Sequence, residues 1–300
     1  MDEPVASRVP PAPNSRSRPW FDTPNIRRVL LVAAVVGAAL GTETVVLHLS
    51  TDPLVDVHAY YDAGARLNAG LPLYEQAAGT NDPSFYRYPP LLAIAFRPLA
   101  LLPYVTASVI WEAIILVAFG LTVMRLGPRR PATWVVLGML ALPIGWSLAI
   151  GQAQVLVTLL MAFGAPWSLA LATHLKLFPV LAALWWVGRR NWRALAKFGG
   201  WVAGLGLLQL VLEPTATAAF PAFLLTDQVG QVNSVSPYVI SPWLWAALVL
   251  IGLVAAIRWA PTRWGWAIAI ALSVFANPRL LVYQVSTLAA GLRAPNDPDR

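Results

Sequence analysis

The chain has 300 residues, of which 58% are hydrophobic and 12% charged; soluble domains carry about 25% charged residues, so a water-soluble globule is excluded. The net charge of +7 is carried mainly by arginines at the ends of apolar runs, a pattern that serves membrane orientation rather than nucleic-acid binding. There is no cysteine, and His48, His58 and His174 lie scattered, which removes thiol nucleophiles, disulfide frameworks and histidine-spaced metal sites.

Residues 1–28 are rich in Pro, Arg and Ser without an apolar period, and predict a disordered basic arm. An apolar run from Val29 to about Leu49 follows Arg27 and Arg28 and predicts a first span of the signal-anchor type. The longest polar stretch, 50–88, predicts an outer loop. Residues 89–102 are apolar but short and are interrupted at Pro98, which suits a re-entrant or interfacial helix. Spans are predicted from Pro103 to about Met124 and from Ala132 to Ile150, the second ending at the polar tetrad GQAQ.

Residues 153–188 hold three short apolar pieces, divided at Gly164–Pro166 and at HLKLFP. One long broken helix and three short passes both fit. A span over 195–212, a second outer loop over 213–241, and spans near 242–257 and 264–276 complete the pattern. Asn277–Pro278–Arg279 then breaks a last apolar stretch that ends near Leu292.

With the N-terminus in the cytoplasm, the basic clusters at 125–130, 189–197 and 258–263 fall inside with Arg293, and the outer segments keep only Arg66, Arg87 and Arg279. The expectation is an all-α polytopic protein of the cell membrane. It has eight to ten transmembrane helices in one domain over 29–292, a cytoplasmic tail at 293–300, and both termini inside.

Two classes of function suit such a chain: a transporter, or an enzyme acting on a lipid-borne substrate. Transport pathways use ionisable groups near the bilayer midplane, and only Glu43, Arg97, Glu112 and Lys176 qualify. The polar groups concentrate instead just beyond the first span, where Asp56, His58, Tyr60, Tyr61 and Asp62 fall within seven residues. A carboxylate partly buried among aromatics there has a raised pKa suited to a general base; the plainer reading is a solvated loop with helix-capping aspartates.

The stretch DVHAYYDAGARLNAGLPLY, followed by FYRYPPLLAIAFRPLALLP, resembles glycosyltransferase family 87, the polyprenol-phosphate-mannose-dependent mannosyltransferases of the GT-C fold. The likeness continues at GQAQ (151–154), KLFP (176–179), RRNWR (189–193) and ANPRLLVYQ (276–284). It implies inverting transfer of a hexose, mannose first, on the outer face of the membrane. The sugar would pass from a polyprenyl phosphate to a glycolipid or glycan acceptor, with membrane lipids as the remaining partners.

The resemblance puts the general base at Asp56, with Asp62 as its competitor. The leaving lipid phosphate needs positive charge or hydrogen-bond donors, and Arg66, Arg87, Arg279, His58 and Lys176 are the candidates. Arg279, at a break between apolar segments, is the most telling of them. Tyr60, Tyr61, Tyr88 and several of the 14 Trp are candidate sugar-stacking surfaces, the plainer reading being an interfacial aromatic belt. No cofactor is expected, and no metal: between residues 29 and 292 no acidic pair has D-x-D spacing, although Asp52 and Asp56 lie four apart. The rival readings are transfer of another lipid-linked sugar such as arabinofuranose, a lipid or glycolipid transporter, and a lipid-binding scaffold without turnover.

Overall fold

The computed structural model describes residues 24–74, 85–227 and 234–295. Most of the basic arm, the 75–84 and 228–233 parts of the two polar loops and the end of the tail lie outside the described residues. The described chain is all α-helix and 3-10 helix, and the protein is a polytopic membrane protein.

The first helix, α1 (Pro24–Thr51), begins earlier than the apolar run because Pro24 suits the first helical turn. It is followed by α2 (Val55–Asn68), α3 (Pro90–Phe96) and α4 (Tyr104–Leu126). Next come α5 (Pro131–Met139) and α6 (Ala141–Ala149), which meet at a 66° bend. Pro143, in the first turn of α6, lacks an amide hydrogen and crowds the carbonyl four residues back, which accounts for that bend.

The bend brings α5 and α6 along α1, and glycines make the approach possible. A Cβ on Gly37 would lie 2.3 Å from the Gly138 carbonyl oxygen, and one on Gly41 would lie 2.6 Å from the Ala141 backbone. Gly37 and Gly41 form a G-x-x-x-G face, the small-residue contact that lets helix backbones close together in lipid.

Residues 153–188 resolve into three short helical pieces. The first is α7 (Gln154–Phe163) and the second α8 (Pro166–Leu175); a 3-10 turn (Phe178–Ala183) running into α9 (Leu184–Gly188) makes the third. α7 leaves the end of the molecule where Asp56 lies and reaches the end where the Arg125 guanidinium sits 5.3 Å over the Phe163 ring. α8 returns to Lys176, and α9 leads away again to Gly188, whose close neighbours are Ile257 and Ala260. At ten residues, α7 and α8 are only about 15 Å long each.

The chain continues through α10 (Trp192–Leu212), α11 (Pro214–Asp227), α12 (Pro242–Arg258) and α13 (Gly265–Phe275), and closes with a 3-10 segment (Val282–Leu292). Arg293 donates to the Arg125 carbonyl at 2.9 Å, which ties the last segment to the arginine-rich end. Among the described residues three helices, α1, α4 and α10, are long and apolar enough to cross a membrane. The bent pair α5–α6 makes a fourth by the same test, and the remaining apolar helices are shorter.

Two stretches that read as loops contain helices. α2 buries Val57, Tyr60, Ala63, Gly64 and Leu67 along one stripe, a helical period that its charged residues mask. α11 occupies the first half of the predicted second loop. The short α3, which is too brief to cross a bilayer, packs with Phe96 fully buried.

Candidate active site

The breaks between helices collect at one end of the molecule, around a cavity of about 370 Å³. Asp56 reaches it from the first turn of α2. Arg87 and Tyr88 come from the segment before α3, Lys176 from the break after α8, and Arg279 and Tyr283 from the segment after α13. Phe85, Phe178, Phe220, Leu224 and Leu281 add apolar walls, and His48, Asp52 and Trp146 line another side.

The start of α2 is fixed by the turn that follows α6. The amides of Leu54 and Asp56 donate to the carbonyls of Ala149 and Ile150, at 3.0 and 3.1 Å. Gly151 takes φ +72°, and a Cβ there would lie 2.3 Å from a Val57 methyl. The turn therefore needs glycine twice over, for its backbone conformation and for the close approach of α2. Trp111 locks it by donating from Nε1 to the Gly151 carbonyl at 2.8 Å.

Gln152 is fully buried beside this turn. Its Oε1 accepts from the hydroxyls of Tyr60 at 2.7 Å and Tyr88 at 3.1 Å. Two hydroxyl donors on the oxygen leave the amide nitrogen to face Asp56, and Nε2 donates to Asp56 Oδ2 at 2.6 Å. Tyr60 Oη in turn accepts from the Ala153 amide at 3.2 Å. The carboxylate is thus aimed by a network whose members are each held in place, and burial makes such a network costly to disturb.

Burial pushes the Asp56 carboxyl up to about 7, against the opposing pull of Lys176, the Gln152 hydrogen bond, Arg87 and Arg279. Burial pushes the Lys176 ammonium down, with Asp56 working the other way. Lys176 Nζ is buried without a hydrogen-bond partner. It lies 5.0 Å from the centre of the Tyr88 ring and 4.9 Å from that of Tyr283. Two aromatic faces stabilise a cation there while leaving its three N–H donors unused.

Asp56, Arg87, Tyr88, Lys176 and Arg279, five of the residues singled out by sequence, thus share one cavity. His58, Tyr61, Asp62 and Arg66 stand apart from it. His58 stacks on Tyr104, ring centroids 3.9 Å apart. Tyr61 donates to the Leu102 carbonyl at 2.7 Å, Asp62 is exposed, and Arg66 is bonded to the Pro72 carbonyl at 2.9 and 2.7 Å. The separation follows from helix phase: at 100° per residue, Asp62 sits about 120° around α2 from Asp56.

Of the ionisable residues weighed as midplane candidates, Arg97 is paired with Glu213 and bonded to Asn68, which clasps α2 and α3 to the end of α10. Gln152, Tyr283, His48 and Trp146 carry no role predicted from the sequence by number, and Asp52 enters there only through its spacing to Asp56. For Gln152 the signal was present in GQAQ, a polar tetrad between two apolar runs, where a buried amide must find partners. Among the described residues no three His, Asp or Glu side chains converge as metal ligands would.

Residues 85–282 match the model of glycosyltransferase family 87. That stretch holds Arg87, Tyr88, Gln152, Lys176 and Arg279; Asp56 precedes it. The chain is 29% identical to a polyprenol-phosphate-mannose-dependent alpha-(1-2)-phosphatidylinositol pentamannoside mannosyltransferase of Mycolicibacterium smegmatis, over 61% of this chain and 48% of that protein. It is 28% identical to the protein of the same description from Mycobacterium tuberculosis, over 70% of this chain and 52% of that one. The chain therefore spans about half the length of the curated relatives it matches. No solved structure matches it.

Proposed function

Because this chain belongs to glycosyltransferase family 87, we propose that it is a membrane mannosyltransferase that moves mannose from a polyprenyl phosphate to a hydroxyl of a glycolipid, with inversion, on the outer face of the cell membrane. The observation that carries this reading is the meeting of one aimed carboxylate with three cations in a single cavity, Asp56 with Arg87, Lys176 and Arg279. The relatives' descriptions supply the mannose, the polyprenyl phosphate and the glycolipid.

Asp56 takes the proton from the acceptor hydroxyl as its oxygen attacks the anomeric carbon. The bond from that carbon to the phosphate oxygen breaks, and the electron pair leaves with the polyprenyl phosphate. Lys176, Arg87 and Arg279 meet the charge that builds on the phosphate; in a cavity bordered by apolar side chains such preorganised charge is worth far more than in water. Phe85, Phe178, Phe220, Leu224 and Leu281 give the first isoprene units an apolar surface. The outer-face assignment rests on the arginine-rich ends of the helices lying away from the cavity, the side that the positive-inside rule puts in the cytoplasm.

The test is transfer of labelled mannose from a synthetic polyprenyl-phosphate mannose in detergent. Asp56→Asn keeps the size and the contact with Gln152 but cannot take the proton. A positioned base supplies about a hundredfold or more in rate, so the variant should lose at least that while still binding the donor. Normal transfer by Asp56→Asn would overturn the reading.

A further inference from the structure

The cavity has two unlike sides. Its cations enter from the segments around α3, α8 and α13, together with the large apolar side chains. The other contributors are the last turn of α1, the start of α2 and the end of α6, which bring His48, Asp52, Val55, Trp146 and Ile150. Asp56 stands on this second group of elements, bonded through its amide to Ile150, yet it is the residue the three cations act upon. The base therefore belongs to the part of the lining that carries no Lys or Arg.

That second wall is built, not incidental. His48 Nδ1 and Asp52 Oδ1 are 2.8 Å apart, and the Thr51 hydroxyl donates to the same oxygen. The His48 ring stacks on the Trp146 indole, with centroids 4.8 Å apart at 28°. The three side chains hold one another in place, one turn before the base. Asp52 Oδ2 and His48 Nε2 are left over from these contacts, and the Asp52 side chain is 40% exposed. Burial raises the Asp52 pKa, but the bonds from Thr51 and His48 outweigh it and hold the carboxyl below its usual range, so the oxygen is a charged acceptor at neutral pH.

We infer that the His48–Asp52–Trp146 wall is the subsite for the acceptor, where it binds the hexose residue that carries the attacking hydroxyl. The inference rests on the mannosyl-transfer reading and adds to it the place and chemistry of the second substrate. An inverting displacement sets attacker and leaving group on opposite faces of the donor sugar. With the phosphate on the cations, the attacking hydroxyl comes from the other side, next to the base, and that side is this wall. A carboxylate oxygen and an imidazole nitrogen side by side suit neighbouring hydroxyls of a hexose, and an indole edge suits its C–H flank. A phosphate or an acidic headgroup would be repelled by Asp52, so the ligand class is a neutral sugar.

The experiment compares wild type with Asp52→Asn and Trp146→Ala, using a short polyprenyl-phosphate mannose as donor and an alkyl α-mannoside as acceptor. Acceptor and donor KM are measured separately. Loss of a charge-assisted hydrogen bond predicts an acceptor KM raised roughly tenfold in Asp52→Asn. Donor KM should stay at its wild-type value in both variants, which also establishes that they fold. An unchanged acceptor KM in both variants, or a donor KM that rises as much as the acceptor's, would overturn the subsite. Wild-type protein that transfers no mannose at all would overturn the mannosyl-transfer reading, and the subsite with it.

Discussion

Asp56 and Asp62 sit on the same helix, six residues apart, and meet opposite surroundings. Asp56 looks into the cavity, where Gln152 holds it and the charges of Lys176, Arg87 and Arg279 act on it. Asp62 is exposed on the flank of α2 that carries Tyr61 and His58, both of which are engaged with Tyr104 or its neighbourhood. The residue type is the same and the chemistry is not. What separates them is helical phase: the stripe of Val57, Tyr60, Ala63 and Leu67 is buried, and only the first of the two aspartates is set where that stripe meets the cavity. A run of polar residues thus divides into a cavity-facing side and a surface face once it coils.

That contrast is open to direct attack. The largest expected effect belongs to Asp56→Asn, at least about a hundredfold in transfer rate; a dead Asp62→Asn beside an active Asp56→Asn would reverse the roles of the two faces. Next comes the cationic wall. Arg279→Ala should raise donor KM roughly tenfold through the loss of a charge-assisted contact, and Arg279→Lys should recover only part, since the planar fork is lost. Wild-type donor affinity in both variants would mean that the phosphate is held elsewhere.

A smaller and more specific effect is expected at Gln152. Gln152→Leu removes the donor that favours ionised Asp56, so the carboxyl should move further up. Transfer at pH 7 should fall about tenfold for each unit of that shift and recover as the pH rises. A loss that is the same at every pH would mark Gln152 as structural only. The smallest effect is that of Asp62→Asn itself, within about twofold, as for an exposed side chain away from special contacts.

Much of this arrangement was legible in the sequence, for physical reasons. Long apolar runs bounded by arginines leave few alternatives to membrane helices, and Asp56, Lys176 and Arg279 were conspicuous because charges beside such runs are costly. The cavity's composition was not legible in the same way. It is assembled from breaks that lie far apart in the chain, so nothing near Arg87 announces Lys176. Helical phase within 50–88 was hidden because the buried stripe of α2 uses tyrosine, alanine and glycine, which read as weakly polar. Gln152 was visible as a motif but not as a role, since the role depends on Tyr60 and Tyr88 meeting its oxygen. Trp146 and His48 lie 98 residues apart in the chain and meet only because the bend at Pro143 brings α6 alongside α1.

The most direct test of the central claim, that Asp56 is the base and is tuned by its cavity, is the pH dependence of kcat/KM for transfer. Burial pushes this carboxyl up to about 7 despite the nearby cations. Protonated Asp56 cannot accept the acceptor's proton, so activity should fall about tenfold per unit below that value, rise through it, and decline again at higher pH as Lys176, whose pKa burial pushes down, loses its charge. Asp62→Asn should follow the same curve, and Gln152→Leu should displace it to higher pH. A wild-type profile that runs flat through pH 7, with Asp56→Asn tracing the same line, would contradict the account.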